Sequence, residues 1–134
     1  MKLHQHTAYS VIIGGILFMI FKSWAMSLAC ILSGIFIDLD HIIDVVREHG
    51  WHVGVKRFFY ICENAQFNRI ILILHGWEWL PVWAVAAWLT GWNPWITGML
   101  LGLSQHMILD ASSNSSNFSS YSLIWRCKND FHFD

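Results

Sequence analysis

Acids and histidines fall at the ends of apolar stretches in this chain. Asp38, Asp40, His41 and Asp44 close the run Phe36-Ile37-Asp38-Leu39-Asp40-His41-Ile42-Ile43-Asp44. His106 and Asp110 close a second, Gly102-Leu103-Ser104-Gln105-His106-Met107-Ile108-Leu109-Asp110, while His75 and Glu78 lie within a third and His4 and His6 immediately precede the first. Carboxylate oxygens and imidazole nitrogens are the mixed donor set of zinc, manganese and iron. At the edge of apolar surroundings such groups are costly unless paired or metal-bound. The pattern asks for a site holding one or two divalent ions, zinc foremost, with manganese or iron as the other fitting metals.

Spacing selects among these residues. His106 and Asp110 are four apart and share a helical face with Gly102, while Gly98 lies behind on a drifting stripe that would let another helix approach closely. A histidine paired with an aspartate of its own helix is the plainer alternative. Asp38 and His41 are three apart, as are His41 and Asp44, but Asp38 and Asp40 point to different sides of a regular helix. All of them can be ligands only if the helix ends there, and Asp44 reads as a solvated helix end. His75 and Glu78, three apart inside an apolar run, are either functional or a neutral hydrogen-bonded pair. Of His4 and His6, which cannot share a face, His6 is nearer the segment. The candidate metal ligands are therefore His6, Asp38, Asp40, His41, His75, His106 and Asp110. Glu78, or a carboxylate not used as a ligand such as Asp40, is the candidate general base. His49, His52 and His132 read as interfacial or tail histidines.

The elements that must position these groups are apolar. Of the 134 residues, 55% are hydrophobic and 13% charged, against about 25% charged in ordinary soluble domains. That balance favours an all-α polytopic membrane bundle, read as one domain over residues 1–134. Four apolar segments stand out, near residues 7–21, 24–43, 70–92 and 95–109. The first and last are short of the roughly 20 residues of a full span, so they extend through their polar ends or sit in locally thinned bilayer. Lys22-Ser23 and Gly91-Trp92-Asn93-Pro94 form tight joints. The connector Val45–Arg69 mixes basic and aromatic residues, as an interfacial segment or an ordinary amphipathic linker does. A serine-rich loop follows Asp110. The three cysteines form neither a disulfide framework nor a CxxC zinc motif, no basic stripe suggests nucleic acid, and no Gly-x-Ser-x-Gly elbow suggests a serine hydrolase.

If all four segments cross, every Lys and Arg except Lys22 lies on one side. The positive-inside rule makes that side, with both termini, cytoplasmic in a prokaryotic inner membrane. The ends carrying His6, Asp38 to Asp44, His75, His106 and Asp110 then share that face.

An N-terminal His6, then Asp38-Leu39-Asp40-His41, then His75, then Ser104-Gln105-His106-Met107-Ile108-Leu109-Asp110 resembles, in order, the membrane-bound metal-dependent hydrolase family, which includes LexA-regulated inner-membrane proteins. Leu123–Trp125 followed by Arg126 resembles that family's closing element. Ile37 stands where the family commonly has proline, and His75-Gly76-Trp77-Glu78 is shorter than its central motif, with Glu78 in place of a second histidine. The resemblance implies metal-dependent hydrolysis of a phosphoester or lipid-like substrate drawn from the membrane lipid. The alternatives are a non-catalytic metal-binding membrane scaffold, sensor or carrier, and a partner-binding subunit whose buried polar residues pin helix packing. The nearly apolar far half of the segments argues against a carrier.

Overall fold

The computed structural model describes residues 3–64, 66–113 and 118–132, with side chains from Gln5 onward. His4 therefore lies in a helix whose first side chains are outside that set, and part of the serine-rich loop is outside it too. Among the described residues the chain is helical, with no β-strand and one isolated bridge between Arg69 and His132. The helices are α1 (Leu3–Phe21), α2 (Trp24–Phe36), α3 (His41–His49), α4 (Val55–Glu63), α5 (Trp79–Leu89), α6 (Pro94–Ser113) and α7 (Leu123–Lys128), with 3-10 turns at Ile37–Asp40 and Phe118–Tyr121.

The two joints form for local reasons. At the first, Lys22 adopts a left-handed φ of 52° and Ser23 caps α2, its Oγ accepting the Met26 N–H at 3.3 Å. At the second, Gly91 and Trp92 turn the chain at positive φ, Asn93 Oδ1 accepts the Trp95 N–H at 3.0 Å, and Pro94 opens α6. Trp24 and Trp95 meet edge to face, which places both joints at one end of the bundle.

α2 packs most extensively on α6 and α1, and α5 packs on α6. The α2–α6 approach is as close as the small residues suggest. A side chain at Gly98 would strike the Met26 carbonyl and Ala29, and one at Gly102 would strike the Cys30 carbonyl and Ser33. Met107, Leu103, Ile37 and Tyr121 form the buried apolar core below the polar cluster.

Three expectations need correction. The helix bearing Asp38 does not simply end; it tightens into the 3-10 turn Ile37–Asp40 and continues as α3. The run Trp24–His49 is the one stretch among the described residues long and apolar enough to cross a membrane, while 5–21 and 79–89 are apolar but shorter. The third segment is helical only from Trp79, so His75 and Glu78 precede its helix instead of lying inside it. Apolar content alone had made residues 70–78 look helical. Their backbone groups find partners elsewhere, as a non-helical segment requires. Asp44 accepts the N–H groups of Ile71 and Leu72, each at 3.1 Å, and Asp40 accepts that of Leu74 at 2.9 Å. The buried Arg126 guanidinium donates to the carbonyls of Ile71, Leu72 and His75. Ile70 N–H reaches Phe131 O and Trp77 N–H reaches Tyr121 O. Asp44 is thus a buried structural acceptor and not a solvated helix end.

Candidate metal centre

α1, the 3-10 turn after α2, the loop before α5, and the last turns of α6 deliver His6, Asp38, His75, His106 and Asp110 to the end of the bundle opposite the joints. His106 is fully buried on α6, and its Nδ1 donates to the Gly34 carbonyl on α2 at 2.8 Å. A carbonyl can only accept, so Nδ1 carries a proton, and Nε2 is the nitrogen that offers a lone pair when the ring is neutral. His75 is oriented in the same way: Nδ1 donates to Asp40 Oδ2 at 3.1 Å, with Oδ1 at 3.0 Å. Asp40 is buried behind the imidazole and holds it through both the ring and the Leu74 N–H. A carboxylate or carbonyl on the far nitrogen is how metal-binding imidazoles are commonly held.

The two Nε2 atoms face each other. His75 Nε2 lies 3.2 Å from His106 Nε2, and Asp38 Oδ1 lies 3.4 Å from each of them. Asp110 Oδ2 completes the group, 3.4 Å from His106 Nε2 and 3.9 Å from His75 Nε2. A tetrahedron built on 2.0–2.1 Å metal bonds has edges of roughly 3.3–3.4 Å. The His75–His106, Asp38–His75, Asp38–His106 and His106–Asp110 separations are close to those edges. A divalent cation seated against the paired Nε2 atoms could draw oxygen donors from Asp38 and Asp110. The donor set fits the metal expected from the sequence.

His6 Nε2 sits 3.0 Å from the other Asp110 oxygen, Oδ1, and its ring stacks on His106 with centroids 4.0 Å apart. It supports Asp110 from behind, and its buried Nδ1 has no hydrogen-bond partner among the described residues. His41 Nε2 is 3.8 Å from Asp38 Oδ1. The trios His6–His106–Asp110 and Asp38–His41–His75 each place donor atoms within 4.8 Å, and they abut at the His75–His106 contact. Access is one-sided. The side chains of Asp38 and His41 are 19% and 24% exposed, whereas those of His6, His75, His106 and Asp110 are at most 8% exposed.

The structure thus gathers His6, Asp38, Asp40, His41, His75, His106 and Asp110. Asp40 grips the back of His75, a role distinct from the general base expected for it. Replacing it with asparagine removes the charge that orients His75. Asp40→Asn is expected to weaken zinc binding about 10–100-fold, the range for losing such an outer partner, as measured by competition against a chelating dye.

Glu78 does not join the cluster. It accepts from the Ser122 hydroxyl at 2.5 Å and from the N–H groups of Leu123 and Ile124 at 3.0 and 3.1 Å, closing the start of α7. Glu78→Gln removes the charge that gathers these donors and should melt at a lower temperature than wild type. An unchanged thermal unfolding midpoint would refute the assignment.

Two contributors had not been anticipated. The Gly34 carbonyl carries no side-chain signal at all. Arg126 had entered only as a basic tail residue beside Lys128 and through the family resemblance, and nothing in its local sequence marked it as buried. No protein-family model matches the chain, and no curated protein or solved structure shows significant similarity to it.

Proposed function

We propose that the chain is a polytopic membrane protein with a zinc-type centre, held by Asp38, His75, His106 and Asp110, that hydrolyses a phosphoester or lipid-like substrate at the cytoplasmic face of a prokaryotic inner membrane. The observation that carries the metal is the approach of Asp38 Oδ1 and Asp110 Oδ2 to the facing His75 and His106 Nε2 atoms at 3.2–3.9 Å, with both imidazole Nδ1 protons committed elsewhere. The reaction class rests on the resemblance to membrane-bound metal-dependent hydrolases.

Membrane embedding is supported by the exterior. Val11, Ile12, Ile16, Met19 and Ile20 on α1, Leu28 and Leu32 on α2, and Val82, Val85 and Trp88 on α5 are all exposed. A soluble monomer rarely shows so continuous an apolar face. Trp24–His49 is long and apolar enough to span, and α1 with 19 residues and α6 with 20 reach about 30 Å in length alone. The shorter α5 is extended toward the site end by residues 70–78, whose backbone is satisfied inside the protein, as an irregular segment at membrane depth requires.

A bound divalent ion would supply Lewis acidity, lowering the pKa of water and polarising the scissile group. The protein's own contribution is orientation. Asp40 and Gly34 fix both imidazoles, and His6 fixes one oxygen of Asp110. Asp38 and His41 line the accessible side, so His41 Nε2 is the group placed to exchange a proton with an entering molecule. The exposure of that side favours catalysis over a closed structural metal, which usually fills its coordination and excludes solvent.

The test is turnover of a panel of phosphoesters and phospholipids by protein reconstituted in bilayers. Activity is expected to vanish on chelation, return with added zinc or manganese, and be absent in the Asp38→Ala, His106→Ala double variant. Turnover surviving both chelation and substitution would place the activity elsewhere. Metal bound at full stoichiometry without turnover on any of these substrates would leave the scaffold reading. Impermeant maleimide reaching the exposed Cys127 only from the cytoplasmic side would support the orientation.

A further inference from the structure

An apolar groove of about 420 Å³ runs between α2, α5 and α6. Phe36 and Ile37 form one wall, Trp79 and Trp83 another, and Met99 and Leu103 the floor. Three features fix what it suits. It points at the metal centre: Met99 and Leu103 are one turn apart on α6, and the same helix reaches His106 three residues later. The distance from Met99 to His106 along the axis is roughly 10 Å. Its upper end is built from residues adjacent to ligands, since Ile37 precedes Asp38, and Leu74, also on the lining, precedes His75.

The lining is chemically apolar. The Ser33 hydroxyl turns back to the Cys30 carbonyl at 3.2 Å, and Trp79 Nε1 donates to Ile73 O at 2.8 Å, so both polar groups are already engaged. The groove also opens sideways. Phe36, Leu74 and Met99 at its margin are exposed and continue the apolar exterior formed by Leu32, Val82 and Leu39. Volume and lining lie within the range of small-molecule sites, about 300–1,000 Å³.

We propose that this groove holds the hydrocarbon chain of a single-chain amphiphile whose anionic headgroup faces the Asp38–His75–His106–Asp110 centre. The headgroup half of the assignment rests on the metal reading above; the chain half stands on the groove. A linear chain entering from the bilayer exchanges lipid contacts for contacts with Trp79 and Trp83. A two-chain lipid would leave its second chain outside. A groove of this volume holds one chain, so a monoalkyl or monoacyl phosphate is the ligand it suits.

The test uses protein in phosphatidylcholine nanodiscs and two probes, dodecyl phosphate and dodecanol, each with a diazirine at the chain end. After irradiation, peptide mapping should find Trp79, Trp83 and Met99 labelled at least about tenfold above Ile16 and Val85 on the outer face, a ratio corresponding to a real binding preference. Added zinc should raise labelling by the phosphate probe several-fold and leave the alcohol probe unchanged. Met99→Trp, which fills the floor, should lower labelling of Trp79 and Trp83 about tenfold while bound zinc stays at wild-type stoichiometry. If that variant loses its zinc through misfolding, Leu103→Phe fills the same space from the next turn. Equal labelling of groove and outer face, or labelling indifferent to both filling variants, overturns the proposal. Groove labelling by both probes in a protein that binds no zinc supports the chain site and overturns the metal reading. Zinc-loaded protein with no zinc effect on the phosphate probe overturns the headgroup assignment alone.

Discussion

His106→Ala should purify without its metal. Elemental analysis of the wild-type protein is expected to show zinc or a similar ion at about one per chain if the four-donor centre is filled. The variant should fall close to zero. His106 is the hub of the cluster, touching His75 at 3.2 Å and both Asp38 and Asp110 at 3.4 Å. Its loss removes one donor and uncaps the buried Gly34 carbonyl. Affinity should fall by more than about a hundredfold, beyond the effect of losing an outer partner such as Asp40. Zinc at a hundredfold excess over its dissociation constant stabilises the folded state by about 2.7 kcal/mol. The wild-type melting temperature should therefore rise with added zinc, and that of His106→Ala should not. A variant that retained stoichiometric metal and a zinc-dependent melting shift would refute the assignment of the centre.

Arg126→Met should be the most destabilising single change away from the centre. The guanidinium is nearly inaccessible and satisfies three carbonyls of the 70–78 segment, those of Ile71, Leu72 and His75. Methionine keeps the bulk of the stem and removes every donor. Each buried carbonyl left unpaired costs about 1–3 kcal/mol, so the total is expected to exceed about 3 kcal/mol. Asp40 and Asp44 nearby also lose a compensating positive charge. Because the same contacts place His75, zinc affinity should fall along with stability, while the His106–Gly34 bond is untouched. Arg126→Lys should recover only part of either loss, since a single ammonium cannot reproduce the planar fork. Thermal unfolding and dye-competition titration of both variants provide the check. A stable Arg126→Met protein with wild-type zinc affinity would show that the segment holds itself.

How much of this was legible in the sequence depended on the range of the interactions. His6, Asp38, His106 and Asp110 could be picked out because each is a polar residue where an apolar segment ends, and His75 because it stands within one; the four-residue spacing of Gly98, Gly102, His106 and Asp110 already pointed the last two of these inward. The helical class followed from the same apolar runs. The segment 70–78 was misread because Ile70-Ile71-Leu72-Ile73-Leu74 has the composition of a helix or a buried strand alike. What decides its shape is Asp44, 27 positions before Ile71, and Arg126, 55 positions after it. No window of local periodicity contains those partners. Glu78 was misassigned for the same reason: its partners at Ser122 to Ile124 are 44 to 46 residues distant. Asp40 and Asp44 had a usable signal in their four-residue spacing, which puts both carboxylates on the face that meets the 70–78 segment.

The Arg126 clamp also sets an order in time. During synthesis, α1, α2 and their joint leave the ribosome first, and they can pair at once because their contacts are close in sequence. His75 emerges long before Arg126, so its loop spends the synthesis of the intervening 50 residues without the donors that shape it. The donor atoms of the early helices are thus present, but not gathered, while most of the chain is being made. The proposed centre is then assembled only when the last part of the chain arrives.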